Sequence, residues 1–346
     1  MVVSDRYHRQ RLVEGISDSG QDAISKANIT VIGVGALGCL SASMLTRAGV
    51  GSITLIDRDI VETTNLQRQL LFNEEDAKTQ QPKALAAAKH LRGINSDIQI
   101  IPYVEDLTAR NIHRLLGNTD VIVDGLDNFH TRYLLNDYAV KNIIPFMFAG
   151  VIAGQGNVMT VIPSLTPCLR CLFPDPPPTG VQETCDTAGV LAPAIGIAAS
   201  CQTMDVLKFI TGNKDKISPT LLTFDLWNAV SNRHHFGEPV SDCICCNKHN
   251  YEFLNKRVVE PLALCGQLAV QLPSIDDFNL SVVVTKLQEH GEFTSSDTMI
   301  RGTFSEEHGE NEVPITILCF HDGRTIIHGT DDVKRAKAIF ERYVGN

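Results

Sequence analysis

The sequence predicts an α/β fold with a doubly wound, mostly parallel sheet, and two observations lead to this class. Short apolar, β-branched segments alternate with helical patterns from residue 29 to residue 210, which is typical of parallel strands connected by helices. The first unit, 29–57, reads strand, glycine-rich turn, helix and strand, as in a Rossmann-like nucleotide-binding unit. Antiparallel strands are expected at the later edge of the sheet.

The turn of the first unit carries three glycines. Gly33, Gly35 and Gly38 form a G-x-G-x-x-G between the apolar strand 29–34 and the helical pattern 37–48. Missing side chains at these positions permit a sharp turn, close approach of a phosphate to backbone N–H groups, and close packing of the helix on the strand. A purely structural glycine turn is the alternative.

A carboxylate follows at the distance that a nucleotide site requires. The predicted strand 53–56 ends at Asp57, which is 57 − 38 = 19 positions after Gly38. A carboxylate placed there can hold the two ribose hydroxyls of a nucleotide.

The later elements bring further charged residues to the same edge. The predicted strands are 98–103, 121–128, 144–149 and 157–162. One predicted helix begins at 81–83, and three others cover 109–116, 131–141 and 194–210. Because the carboxyl ends of parallel strands line the ligand crevice, we expect Asp124 and Asp127 near Asp57, with a Mg²⁺ ion beside the phosphates. Arg68 and Lys83 can both face a triphosphate, although surface exposure explains either residue alone.

Composition excludes several classes of protein. The 346 residues are 43% apolar, with a formal net charge of −10, which argues against a nucleic-acid-binding surface. No segment approaches the ~18 consecutive apolar residues of a membrane helix, and no signal peptide is visible, so no membrane association and a cytoplasmic location are expected. The length is sufficient for one large domain and a smaller one, which we place at 1–254 and 255–346.

The ten cysteines cluster, which in a reducing compartment indicates metal binding or catalysis rather than disulfides. Cys168 and Cys171 form one C-x-x-C pair, and Cys243 and Cys246 form another, 243 − 168 = 75 positions later. Four thiolates suit tetrahedral Zn²⁺ in a structural role, since they leave no open coordination position. Cys245 competes with Cys246, and the two-residue spacer favours Cys246.

Two segments are ambiguous from the residues alone. Cys185 lies in a polar loop punctuated by Gly and Pro, where it is a candidate nucleophile without a visible base. Residues 6–10, Arg-Tyr-His-Arg-Gln, read most simply as a solvated basic N-terminus.

Taken together, these motifs resemble the ThiF/MoeB (HesA) family, bacterial relatives of the ubiquitin-activating enzymes. The resemblance covers about residues 5–250 and rests on the segments 6–10, 33–38, 57–59, 65–69, 81–83, 124–128, the two cysteine pairs and 184–185. It implies a homodimer that uses MgATP to adenylate the C-terminal glycine of a ubiquitin-like sulfur-carrier protein with a Gly-Gly terminus, releasing pyrophosphate. The carrier would serve thiamine thiazole or molybdopterin biosynthesis.

The resemblance also implies roles for individual residues. The nucleotide-binding set would be Gly33, Gly35, Ala36, Gly38, Asp57, Asp59, Asn65, Arg68, Lys83 and Asp127. Asp57 would hold the ribose, and Asp127 would hold Mg²⁺. Arg9 would reach the neighbouring protomer's site, which replaces the simple interpretation of 6–10. Cys185 matches the family's loop cysteine; sulfur transfer through it and through a separate cysteine desulfurase or sulfurtransferase both stay open.

The chain departs from the family pattern in two places. Ala36 stands where many members have another glycine, and residues 255–346 replace a sulfurtransferase domain. This segment reads as a small α+β module, with strands at 281–285, 315–320 and 325–328, a helix over 333–343 and an acidic loop over 306–312. Carrier docking and dimer support are the hypotheses for its role.

Two other functions would account for some of the same sequence motifs. An NAD-dependent oxidoreductase would share the glycine turn and Asp57 but has no use for Arg68 and Lys83 beside a triphosphate. A non-catalytic subunit of a heterodimeric activating enzyme would be expected to lack some of the catalytic residues, whereas Arg9, Asp57, Arg68, Lys83 and Asp127 are all present. A complete homodimeric enzyme is therefore favoured.

Overall fold

The computed structural model describes residues 5–176, 185–255, 262–263, 268–275, 278–309 and 312–345. The chain divides into two compact units, Met1–Arg257 and Val258–Asn346.

The first unit contains eight described strands and eleven described α-helices. The strands are β1 (Asn28–Ile32), β2 (Ser52–Ile56), β3 (Gln99–Tyr103), β4 (Val121–Asp124), β5 (Phe146–Ile152), β6 (Gln155–Val161), β7 (Thr220–Asp225) and β8 (Val230–His235). The helices are α1 (His8–Arg11), α2 (Ser17–Ile24), α3 (Ala36–Ala48), α4 (Glu74–Lys78), α5 (Lys83–Ile94), α6 (Ile112–Leu116), α7 (Phe129–Asn142), α8 (Leu169–Leu172), α9 (Cys185–Ala188), α10 (Ala192–Ile210) and α11 (Glu252–Asn255).

These strands form one sheet in the order β3-β2-β1-β4-β5-β6-β7-β8. The pairs from β3 to β5 are parallel, and those from β5 to β8 are antiparallel, so the predicted fold class is confirmed. Ile32 at the end of β1 pairs with Ile56 and with Asp124. This register places the turns that follow β1, β2 and β4 side by side, which is where a doubly wound sheet binds its ligand.

Both faces of the central part of the sheet are covered, as its apolar strands require, whereas the edge strand β8 is exposed. One cluster joins α3 and α10 to β5, β6 and β7, and another joins α6 and α7 to the cysteine-bearing segments. Gln202 of α10, fully buried, accepts from Ser41 Oγ of α3 (2.9 Å) and donates to the carbonyl of Asp124 (2.8 Å). This side chain ties the helix layer to the ligand edge of the sheet. Within the described ranges, no helix has the length and apolar character needed to cross a membrane.

The described residues of the second unit form a six-stranded antiparallel sheet and two helices. Its elements are β9 (Leu262–Ala263), β10 (Ala269–Leu272), α12 (Leu280–Leu287), β11 (Gly291–Ser295), β12 (Met299–His308), β13 (Pro314–Phe320), β14 (Thr325–His328) and α13 (Val333–Tyr343). The sheet order is β11-β12-β13-β14-β10-β9. Its apolar core lies between this sheet and the two helices.

The strand predicted over 281–285 was wrong, because this β-branched segment lies inside α12. Asn279 begins the helix by accepting from the backbone N–H groups of residues 281 and 282. Leu280, Val283 and Leu287 then recur at helical spacing, with Val283 and Leu287 buried. Tertiary burial thus overrides the strand preference of valine.

The acidic loop predicted over 306–312 was also partly wrong. Residues 306–308 belong to β12, and residues 310–311 lie outside the described residues.

Candidate nucleotide site and metal centre

Three glycines interlock where β1 and β4 end. Gly33 has a φ of 81°, and a Cβ there would lie 2.7 Å from the carbonyl carbon of Gly125. A Cβ on Gly38 or on Gly125 would collide with the carbonyl oxygen of Gly33. Glycine is therefore required at these positions by packing alone, which lets α3 begin directly against the sheet.

Gly35 differs from these glycines because the protein itself leaves room for a side chain. A Cβ there would meet nothing closer than 3.9 Å, at Gln69 Nε2 and the Gly125 carbonyl oxygen. Gly35 is the N-cap of α3, and no side chain caps this helix. The first-turn N–H groups of this 13-residue helix are donors of the kind that typically bind anions. Ala36 is the first residue of that helix.

Asp57 lies at the end of β2, next to the glycine turn, and is 7% exposed. Its carboxylate accepts from the backbone N–H of Val34 (2.6 Å) and from that of Asp59 (2.7 Å). Burial, together with the charge of Asp59, raises the pKa of Asp57 to about 6. The two backbone donors fix the carboxylate beside the turn, in the position expected for a ribose-binding residue.

Lys83 is the first residue of α5 and is paired with an acid. Its ammonium lies 3.2 Å from Asp59 Oδ2, and its backbone N–H donates to the Asp59 carbonyl (2.8 Å). Burial lowers the pKa of Lys83, but the carboxylates of Asp59, Asp57 and Asp127 outweigh it, so the net shift is upward. The structure thus brings Lys83 and these three acids together.

Arg58 extends this charged group, and sequence reasoning did not single it out. Its guanidinium lies 3.2 Å from Asp106 Oδ2 and 3.7 Å from Asp59 Oδ1. Burial lowers the pKa of Arg58, whereas Asp106, Asp59 and the exposed Asp127 raise it by more.

Asn65 and Arg68 lie on one turn of the segment between β2 and α4. Asn65 Oδ1 accepts from the backbone N–H of Glu62 (3.1 Å), and Arg68 Nη1 donates to the carbonyl of Thr64 (2.9 Å). Both side chains therefore stabilise this turn. Arg68 is half-buried, and Gln69, next to it, faces Gly35.

Asp124 ends β4 in register with Ile32 and Ile56, near the end of β2 as predicted, but its carboxylate is already paired within the protein. It is fully buried, and its carboxylate accepts from Arg132 Nε (2.8 Å) and from the backbone N–H of Leu126 (2.8 Å). Arg132 also donates to the carbonyls of Leu126 and Ala149 (2.5 and 2.7 Å). A buried acid that is paired in this way holds the loop that carries Asp127 and does not face a ligand.

Arg9 is exposed on α1, and its neighbours hold that helix to the body of the unit. The hydroxyl of Tyr7 accepts from Asn95 Nδ2 (2.8 Å), and Gln10 Nε2 donates to the Ala48 carbonyl (2.8 Å). The ring of Tyr7 lies against Gly49, whose φ is 87°. The segment is therefore a docked arm that presents Arg9 outward, not a loose basic tail.

The four predicted zinc ligands converge. Their sulfur atoms all lie within 4.8 Å of one another, with Cys168–Cys243, Cys168–Cys171 and Cys171–Cys246 at 3.6, 3.8 and 3.4 Å. In a tetrahedral site with Zn–S bonds of about 2.3 Å the sulfurs are about 3.8 Å apart. The donor set and its spacing therefore fit zinc.

Cys245 is not part of that cluster. It is fully buried and accepts from Asn136 Nδ2 of α7 at 3.3 Å. Asn136 Oδ1 accepts from the backbone N–H of Leu169 (2.8 Å), and the adjacent Asp137 accepts from that of Phe253 (2.9 Å). One helix thus anchors both cysteine-bearing segments.

Cys185 begins α9, but its side chain lies outside the described residues. Residue 184 of the same motif also lies outside them. The sequence analysis assigned no role to Arg58, Gln69, Gly125 and Arg132, although the first three lie within the motif segments 57–59, 65–69 and 124–128.

Comparison with known proteins gives one family and several close relatives. The ThiF family model matches residues 7–245. The chain is 40% identical over 347 residues to the sulfur carrier protein ThiS adenylyltransferase of Bacillus subtilis, covering 99% of this chain and 100% of that protein. It is 35% identical over 221 residues to the SAMP-activating enzyme E1 of Haloferax volcanii, covering 64% and 81%.

Two further similarities are partial. The adenylyltransferase and sulfurtransferase MOCS3 of Danio rerio is 36% identical over 244 residues, which is 70% of this chain and 52% of that protein. Among solved structures, Escherichia coli MccB with ATP superposes with a TM-score of 0.61 at 23% identity, covering 70% and 74%. At this identity the likeness concerns the fold.

Proposed function

The chain belongs to the ThiF family, and from this premise we propose that it is a sulfur-carrier-protein adenylyltransferase. It uses ATP to adenylate the C-terminal glycine of a ubiquitin-like sulfur carrier and releases pyrophosphate. The observation that carries the proposal is the 40% identity to a ThiS adenylyltransferase over the full length of both chains. The geometry of the glycine turn, Asp57 and Lys83 supports it independently.

The nucleotide lies across the ligand edge of the sheet. Asp57 accepts hydrogen bonds from the ribose hydroxyls, and the phosphates approach the N-terminus of α3 over Gly35. Lys83 and Arg68 supply positive charge to the phosphates. Lys83 is already charged and held by Asp59, so its ammonium is ready for this contact.

Adenylation needs charge neutralisation more than proton transfer. A carboxylate oxygen of the carrier's C-terminal glycine forms a bond to the α-phosphorus, while the bond from the α-phosphorus to the bridging oxygen breaks. Pyrophosphate leaves with that electron pair. No general base is needed, since the attacking carboxylate is already ionised. The repulsion between anions is the main barrier, so cations placed around the phosphates lower it.

Asp127 is the residue that would hold Mg²⁺. It is exposed, follows a parallel strand and lies near Lys83 and Arg58. One carboxylate together with substrate phosphates is a common Mg²⁺ environment, and the ion would add positive charge at the phosphates.

We place Arg9 in the site of the neighbouring subunit of a homodimer. The docked arm presents it outward, away from the contacts that Tyr7 and Gln10 make. Mixing inactive Arg9→Ala and Lys83→Met chains tests this placement. Randomly mixed dimers would recover about a quarter of wild-type activity, because half are mixed and each mixed dimer has one complete site. No recovery, with subunit exchange shown separately, would place Arg9 elsewhere.

The carrier is proposed to be of the thiazole-pathway type. The relative named for ThiS aligns with 99% of this chain, including the second unit, whereas the MOCS3 relative aligns with 70%. Zinc is assigned a structural role. The proposal also includes a separate sulfur donor protein and participation of Cys185 in sulfur transfer.

ATP–pyrophosphate exchange tests the proposed function. Purified protein is assayed alone, with a thiazole-pathway carrier and with a molybdopterin-pathway carrier, and carriers lacking the last glycine serve as controls. We expect exchange that depends on the thiazole-pathway carrier. Exchange only with the molybdopterin-pathway carrier would assign the protein to that pathway instead. Absence of exchange in zinc-loaded protein would favour a binding subunit of a heterodimeric activating enzyme.

A further inference from the structure

The docked arm around α1 is attached to the C-terminal ends of α3 and α5. The hydroxyl of Tyr7 accepts from Asn95 Nδ2 (2.8 Å), directly after α5, and Gln10 Nε2 donates to the carbonyl of Ala48 (2.8 Å), the last residue of α3. The glycine turn and Lys83 lie at the N-terminal ends of the same two helices. Helices of 13 and 12 residues are about 20 and 18 Å long. The arm therefore lies about one helix length away from the nucleotide site of its own chain.

Tyr7 contacts both of these helix ends. Its ring occupies the space beside Gly49, the C-cap of α3, where a Cβ would collide with the ring. Its hydroxyl is held by Asn95, which is 1% exposed and also donates to the carbonyl of Thr46 (3.0 Å). The ring and the hydroxyl together fix Tyr7 at one place on the surface formed by α3 and α5.

Arg9 lies between the two docked side chains and is exposed. Tyr7 and Gln10 are three positions apart, so they share one face of the short helix, and Arg9 lies outside that face. A helix of four residues is not stable by itself. The ion pair of Arg11 with Asp5 (3.1 Å) is exposed and adds little stability. The direction of the Arg9 side chain therefore depends on the docking of its neighbours.

We propose that Tyr7 is a positioning residue, which holds Arg9 in place for the nucleotide site of the neighbouring subunit. This inference rests on the proposed function and on the placement of Arg9 in that neighbouring site. An undocked arm would have to be ordered each time Arg9 enters the site, at a cost in conformational entropy. Docking of Tyr7 orders the arm in advance, so Tyr7 acts on the partner's site although its contacts are within its own chain.

Subunit complementation in the ATP–pyrophosphate exchange assay tests this inference with full-length protein and carrier. Tyr7→Ala should lower the exchange rate more than about tenfold, because it removes a packed ring and a hydrogen bond. Tyr7→Phe should lower it less, since only the hydroxyl is lost. Mixing Tyr7→Ala with Lys83→Met should restore about a quarter of wild-type activity, because the Lys83→Met chain supplies an intact arm to the complete site.

The matched control is a mixture of Tyr7→Ala and Arg9→Ala chains. It should recover no activity, because neither chain then supplies a working arm. A residue that only stabilises its own chain gives the reverse pattern, since an Arg9→Ala chain has an intact site and would receive Arg9 from the Tyr7→Ala chain. Recovery in this mixture would overturn the inference, as would no recovery with Lys83→Met once subunit exchange is shown.

Limited trypsin digestion tests docking without reference to activity. Cleavage after Arg6 and Arg9 should be at least about tenfold faster in Tyr7→Ala than in wild type, because the arm is released from α3 and α5. Equal cleavage rates, or wild-type exchange in Tyr7→Ala, would overturn the inference. If Tyr7→Ala does not form dimers, Tyr7→Phe takes its place in both mixtures. Absence of exchange in wild-type protein would refute the proposed function instead.

Discussion

Removal of Cys246 tests the metal centre most directly. The sulfur–sulfur distances of 3.4, 3.6 and 3.8 Å approach the value of about 3.8 Å for tetrahedral zinc, and Cys246 contributes the shortest of them. Cys246→Ala leaves three thiolates and an open position. Substitutions of residues that only support a ligand cost about 10–100-fold in metal affinity, so loss of a ligand should cost more than about 100-fold.

The assay is zinc content per chain, followed by a chelator titration. Wild type should hold one zinc ion, and Cys246→Ala should lose it at chelator concentrations that leave wild type loaded. Its Tm should fall as well, since zinc binding is coupled to folding of the segments that it joins.

Cys245→Ala is the matched control. Cys245 is buried one residue earlier and contacts Asn136. Its replacement should lower the Tm through a small cavity and a lost hydrogen bond, while zinc content stays at one per chain. If Cys246→Ala kept wild-type zinc affinity, or if Cys245→Ala lost the metal, the ligand assignment would be refuted.

Three other predictions concern the nucleotide site. Gly35→Ala should weaken ATP binding with little change in Tm, whereas Gly38→Ala should lower the Tm strongly because its Cβ collides with backbone; equal Tm losses would contradict this distinction. The raised pKa of Asp57, about 6, means that the folded protein holds this proton more tightly than the unfolded chain. The stability contribution of Asp57 therefore declines by on the order of 3 kcal/mol as pH rises from about 4 to about 6. ATP binding should weaken below pH 6, because the carboxylate that accepts from the ribose becomes protonated. If the ratio of the ATP Kd values of wild type and Asp57→Asn did not change with pH, this role would be contradicted. Lys83→Met should abolish pyrophosphate exchange while the exposed Lys89→Met, on the same helix, leaves it intact.

The order of elements up to β6 was predictable because the central strands β1, β2 and β4 are buried on both faces and the glycine turn is distinctive. The spacing of the glycines alone was enough to predict that Gly33 and Gly38 lie in this turn. The second unit was less predictable, since the valine-rich start of α12 favours a strand locally and becomes a helix only through Asn279 and its buried face.

Within the candidate site, residue types were predictable and pairings were not. Asp124 and Asp127 both follow β4, but only the structure reveals that Asp124 is neutralised by Arg132. That pairing joins residues eight positions apart across a strand end and a helix, which no periodicity encodes. The burial of Gln69 beside Gly35 is likewise invisible in sequence, since it depends on how the turn after β2 packs against the glycine turn.

The helix α7 links the candidate nucleotide site to the four-cysteine cluster. Its N-cap, Asn128, directly follows Asp127, and its residues Asn136 and Asp137 hold the zinc-binding segments. Asp137 lies nine positions after Asn128, which corresponds to about 14 Å along the helix. We expect bound zinc to stabilise α7 around Asn136 and Asp137, away from Asp127. An enzyme short of zinc would then bind MgATP poorly before it unfolds. Zinc supply would then set the catalytic competence of the enzyme, and not only its lifetime.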